Sequence, residues 1–99
     1  MRRGRRMIHR GERKSLSLTL VTVTTGDYFD NKSHDLCIFE DDEGVTYYYN
    51  APYPGSFLEI MTYAKRRERF NISAELVAYE NDDRSYDMFN PKILKMKQS

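Results

Sequence analysis

Leu16, Leu18 and Leu20 alternate with Ser17 and Thr19, and then, without a spacer, Val21 and Val23 take up a second alternation with Thr22 and Thr24. Side chains on a strand change faces with a period of two, so a slip of one residue throws the apolar set onto the opposite face unless the strand bulges or bends there. The pattern predicts one long first strand, bent at Leu20-Val21, whose two halves serve different parts of a curved sheet. A first strand that serves both halves of a sheet permits that sheet to close on itself.

The rest of the chain reads as short strands and turns. Residues 26–33 are turn chemistry, with Asp30 and Asn31 suited to positive φ. Leu36 and Ile38 then share one face of a second strand, and Cys37 and Phe39 the other. Asp41-Asp42-Glu43-Gly44 closes a hairpin, and Val45 to Asn50 forms a third strand with Val45, Tyr47 and Tyr49 on one face and Thr46 and Tyr48 on the other. Pro52 and Pro54 end it. Phe57, Ile60, Met61 and Ala64 recur at helical spacing, so one short helix is expected from an N-cap at Ser56 to about Arg67, with Lys65, Arg66, Arg67 and Arg69 favourably placed near its negative end. Ile72, Ala74 and Leu76 mark a fourth strand running to Tyr79. Ser85 to Phe89 marks a fifth, ended by Asn90-Pro91.

A chain of 99 residues supports one hydrophobic core. With no Trp and few Leu and Val, that core is expected to rest largely on Tyr, Phe and Ile. The single cysteine, Cys37, leaves no internal disulfide and fits a reducing compartment. No apolar stretch follows the basic N-terminus as a secretory signal requires, and none approaches the roughly 20 residues of a helical membrane span. The expectation is a cytoplasmic protein with no membrane association.

The order β-β-β-α-β-β, all-β with one short helix, matches a five-stranded Greek-key barrel, the OB-fold, in which the bent first strand serves both halves of the sheet. The stretches that carry the likeness are Leu36 to Tyr48, with the turn Glu40-Asp41-Asp42-Glu43-Gly44, and Ala74-Glu75-Leu76-Val77-Ala78-Tyr79-Glu80 followed by a short acidic turn and Ser85 to Pro91, leading into Lys92-Ile93. As a pattern from Ser15 to Ile93, the chain resembles the small OB-fold proteins of phages and mobile elements that bind single-stranded DNA or accompany replication enzymes. The resemblance implies non-enzymatic binding of single-stranded nucleic acid in DNA replication or recombination.

Charge is distributed unevenly. The total of +1 is made of +6 in residues 1–14, −8 in residues 15–91 and +3 in residues 92–99. Residues 1–14 are therefore expected as a basic flexible arm, 15–93 as the OB-fold domain, and 94–99 as a basic tail. Six arginines within the first thirteen residues, among them Arg2, Arg3, Arg5 and Arg6, can contact phosphates without fixed geometry. The acidic body departs from the charge of single-strand binders and motivates a second reading, an accessory subunit docked on a polymerase, primase or helicase.

Single-strand binders combine aromatic platforms with cations along a groove. On an OB-fold the groove crosses the second and third strands, between the first-to-second and fourth-to-fifth loops. Those places hold Tyr28 and Phe29, Phe39, Tyr48, and Arg84 with Tyr86; Arg66, Arg67 and Arg69 add cations nearby. At least one exposed platform is expected on Tyr48 or Phe39, the other aromatics serving the core. Catalysis finds no support: His9 and His34 lack a nucleophile and an orienting third group, and Cys37 with two histidines at unsuitable spacing makes no zinc site, so no metal or other cofactor is expected. His34 is read as an exposed strand-end residue, and the acidic runs 40–43 and 80–83 as solvated turns.

Overall fold

Of the residues in the computed structural model, 7–79 and 82–96 are described. They form β1 (Met7–Phe29), β2 (Lys32–Glu40), β3 (Thr46–Tyr53), α1 (Ser56–Tyr63), β4 (Arg69–Tyr79) and β5 (Asp82–Met96). The fold is mostly β with one short helix, in the order expected.

β1 divides its pairing at the expected place. Met7 to Thr19 pairs antiparallel with β4, and Thr19 to Phe29 with β2, with a register break between Leu20 and Thr22. At this break Leu20 N–H donates to Glu68 O at 2.9 Å, and Leu20 O accepts from Arg67 N–H at 3.0 Å. The backbone groups at the bend are thus satisfied by the segment just before β4, as buried polar backbone requires. β2 pairs antiparallel with β3, β3 parallel with β5 through Thr46↔Ser85 to Tyr48↔Asp87, and β5 antiparallel with β4. The ring of neighbours β1-β2-β3-β5-β4 closes on itself.

Inside the ring, Leu18, Leu20, Cys37, Phe39, Tyr47, Phe70, Ile72, Leu76 and Met88 are buried, with Leu58 and Met61 of α1 packed among them. Tyrosine carries less of this core than its abundance implies. Tyr47 is the tyrosine buried there, while Tyr48, Tyr49 and Tyr86 are half-buried and Tyr28, Tyr53 and Tyr63 exposed, because Leu and Met fill the interior without a hydroxyl to satisfy.

Several boundaries differ from expectation. Residues 26–29 and 32–33, expected as turn, belong to β1 and β2 and leave Asp30-Asn31 as the turn, and β3 runs through Pro52 to Tyr53 instead of ending at that proline. The segment expected as a flexible arm is strand from Met7 onward, paired along Met7↔Tyr79 to Lys14↔Ala74; Arg2, Arg3, Arg5 and Arg6 lie outside the described residues. Arg13 shows why a charged segment is ordered here. Its Nη1 donates to Ser73 Oγ at 2.8 Å and its Nη2 to Asn90 O at 2.7 Å, tying β1 to β4 and β5.

β5 does not end at Asn90-Pro91. Glu75 pairs with Phe89 and Ser73 with Lys92, so Asn90 and Pro91 stand as a bulge opposite Ala74, after which pairing resumes to Phe70↔Met96. A bulge removes the need for a ladder N–H at proline. Asn90 takes φ 52°, and its Nδ2 donates to Glu75 Oε2 at 3.1 Å. The tail beginning at Leu94 is accordingly strand through Met96; residues 97–99 lie outside the described set.

α1 stops at Tyr63, one turn short of Arg67, and its N-cap is Gly55 rather than Ser56. Ala64 is already extended, and residues 65–68 turn back so that Arg67 and Glu68 reach Leu20. Satisfying the bend of β1 prevails over continuing the helix. Lys65, Arg66, Arg67 and Arg69 therefore do not lie on the helix.

Candidate nucleic-acid interface

The β2–β3 turn is built around one carboxylate. Asp41 Oδ1 accepts the backbone N–H of Glu43 at 2.9 Å and of Val45 at 3.0 Å, while Oδ2 accepts the Tyr47 hydroxyl at 3.0 Å. Desolvation opposes the charge, but these three donors outweigh it and hold Asp41 below the usual carboxylate range. Burial, then the bond to Asp41, pushes the Tyr47 phenol upward. Gly44 completes the turn at φ 82°. The positive φ favours glycine, while the atom a Cβ would meet at 2.9 Å, Arg84 Nη2, is the movable end of a long side chain.

The acidic run 40–43 is more than a solvated turn, because three arginines from elsewhere converge on it. Arg67 Nη2 bonds Glu40 Oε1 at 2.8 Å. Arg69 grips Asp42 in a bidentate pair, Nη1 to Oδ1 at 2.9 Å and Nη2 to Oδ2 at 3.2 Å. Arg84 Nη2 donates to Glu43 O at 3.0 Å. Three of the arginines expected to meet phosphate are thus engaged within the protein by groups that occupy a phosphate's place. Arg66 is exposed, lining a separate depression with Leu20, Thr22 and Asp35.

Phe39 is fully buried, edge-on to Phe57 at 6.4 Å, and is no platform. It shares the inward face of β2 with Cys37, whose thiol is pushed up to about 12, first by burial and then by the charge of Asp35. Tyr86 stacks on Tyr47 at 5.7 Å, 14° from parallel, in a depression with Lys14 and Leu16, apart from Tyr48.

Tyr48 does open onto a cleft. About 370 Å³ is enclosed between the β1–β2 turn, β3 and β5, where Phe29, His34, Tyr48, Tyr49 and Phe89 supply rings and Asp30, Asn50, Asp87 and Asn90 supply polar groups. Phe29 and Phe89 are 43% and 37% exposed, so their faces are only part covered. Phe29 lies flat on the His34 ring, centroids 3.7 Å apart and 5° from parallel. That stack covers His34 to 8% exposure, contrary to the exposed strand-end position expected. The Lys32 carbonyl, 3.1 Å from His34 Nδ1, can only accept, so Nδ1 carries the proton. Gly26 permits this packing of the hairpin: a Cβ there would stand 2.6 Å from the His34 carbonyl oxygen.

The cleft thus joins Tyr48, which the sequence marks, to His34 and Phe89, which it does not. Phe89 had one available signal: Met88 points inward, so its neighbour must point out. His34 had none, because its burial comes from a ring across the hairpin. Near the lining in the chain, Lys32 stands opposite Phe29 in the β1–β2 register and Lys92 two positions after Asn90, whose carbonyl oxygen accepts from Arg13. No group of three His, Cys, Asp or Glu side chains suited to a metal ion occurs among the described residues, and no described helix is long and apolar enough to cross a membrane. No family model, curated protein or solved structure matches this chain.

Proposed function

We propose that this chain is a non-enzymatic OB-fold protein that binds single-stranded nucleic acid, with bases entering the Phe29–Tyr48–Phe89 cleft and phosphates passing the neighbouring Lys32 and Lys92. The observation that carries this reading is the cleft itself: part-exposed rings gathered between a hairpin turn and β5. It occupies the place where OB-folds take oligonucleotides, beside the second and third strands and the first hairpin loop. The ring order β1-β2-β3-β5-β4, with a bent β1 shared between β2 and β4, supports the OB-fold assignment. Stacking on such rings tolerates any base, which suits a role on exposed strands during replication or recombination, as the resemblance to phage and mobile-element proteins implies. Residues 1–6, with four arginines, would add affinity that falls with salt.

The test is fluorescence anisotropy of a labelled single-stranded oligonucleotide with the full chain and with Tyr48→Ala. No binding by the full chain at low salt would sink the proposal.

One observation favours a second reading, the accessory subunit of a polymerase, primase or helicase. Tyr53, Ile60 and Tyr63 are exposed around α1, and a cleft of about 450 Å³ is lined by Tyr53 and Tyr63 with Pro54, Leu58 and Glu59. Exposed apolar groups gathered in this way mark protein contacts. A chain that binds no oligonucleotide alone, yet tightens a replication enzyme's hold on its template, would favour this reading.

A further inference from the structure

Inside the cleft the described charged groups are carboxylates: Asp30 and Asp87 line it, and no described Lys or Arg does. A phosphate drawn into such a site would be repelled, so the part of a strand that suits it is a base. The base would stack on the rings and present its Watson–Crick edge to the acceptors that remain.

Asp30 is the acceptor best placed to read that edge. It stands in the two-residue turn between β1 and β2 at φ 52°, next to Phe29. This left-handed geometry is one that Asp and Asn adopt more readily than other side chains, so the turn sets its position. It has no hydrogen-bond or ion-pair partner among the described residues. A carboxylate accepts through two coplanar oxygens. Guanine presents N1–H and N2–H side by side, matching those oxygens, whereas thymine presents one N–H flanked by two carbonyl oxygens that the carboxylate repels.

We propose that the cleft is a guanine-preferring base pocket in which Asp30 accepts N1–H and N2–H of the inserted base. This rests on reading the cleft as a nucleic-acid site.

The two readings separate in one titration of the full chain by fluorescence anisotropy. The probes are an all-thymidine nonamer, the same nonamer with one central deoxyguanosine, and a third with central deoxyinosine, which keeps N1–H and lacks the N2 amino group. The deoxyguanosine probe is expected to bind about tenfold more tightly than the thymidine probe, with deoxyinosine between them. Asp30→Asn, which keeps a residue tolerant of positive φ, is expected to bring the three probes close to equality. Equal wild-type affinity for the three overturns the pocket while leaving single-strand binding intact. A preference that survives Asp30→Asn overturns the assignment to Asp30. Absence of binding to all three removes the proposed function as well.

Discussion

Arg69 holds Asp42 with both guanidinium nitrogens, at 2.9 and 3.2 Å, across 27 positions of sequence. Both hydrogen bonding and charge from Asp42 raise the arginine's already high pKa. The pair pins the start of β4 to the β2–β3 turn and removes Arg69 from the cations open to phosphate. Arg69→Ala is therefore expected to leave the slope of log affinity against log salt unchanged in oligonucleotide titrations. Lys32→Ala, opposite Phe29 in the β1–β2 register, is expected to reduce that slope by about 1.

Tyr48 and Phe39 separate binding from folding. Tyr48→Ala is expected to weaken oligonucleotide binding by about 1–3 kcal/mol, roughly 5- to 150-fold, with an unchanged circular-dichroism spectrum. Phe39→Ala empties a fully buried site and is expected to cost about 3–5 kcal/mol in urea denaturation, a large share of the roughly 5–15 kcal/mol typical of a small domain. A small Phe39→Ala effect on stability with a large one on binding would reverse these roles.

The N-terminal boundary is open to truncation. Deleting residues 1–6 leaves every described strand pairing in place, and the melting temperature is expected to hold. Deleting residues 1–14 removes the pairing of Met7 to Lys14 with β4 and the Arg13 bridge to β5, and the melting temperature is expected to drop by several degrees. Equal melting temperatures for the two truncations would return residues 7–14 to the status of an arm.

Two groups give opposite pH dependences. Asp41 is held below its ordinary 3.8, so the folded state binds its proton less tightly than the unfolded chain does; its contribution is present above that value and lost as pH falls through the folded pKa. The stability difference between wild type and Asp41→Asn is therefore expected to shrink on acidification below 3.8. Cys37, raised from 9.0 to about 12, contributes below 9.0 and loses that contribution as pH rises toward its folded value. Urea midpoints of Cys37→Ala are expected to decline less than wild type across that alkaline window.

How much was legible in the sequence follows from the range over which each signal acts. Strand alternation and turn chemistry are local, so the strand order, the bend after Leu20, the shared face of Cys37 and Phe39 on β2 and the Asp41–Gly44 hairpin could all be read from neighbouring residues. Reading Phe39 as a platform failed because alternation says which residues share a face and not which face is inside. Arg67 and Arg69 misled for a related reason. A cluster of cations looks available for phosphate until the fold brings carboxylates from another hairpin within 3 Å.

The sequence by itself determined that this chain is a small curved sheet with one helix and an uneven charge, because periodicity, turn residues and composition act over a few positions each. Tertiary structure decided the rest. Closing the ring brought Glu40, Asp42 and Glu43 to Arg67, Arg69 and Arg84, and brought Phe29, Tyr48 and Phe89 to one cleft. Contacts across tens of residues depend on register and closure, which no local pattern encodes.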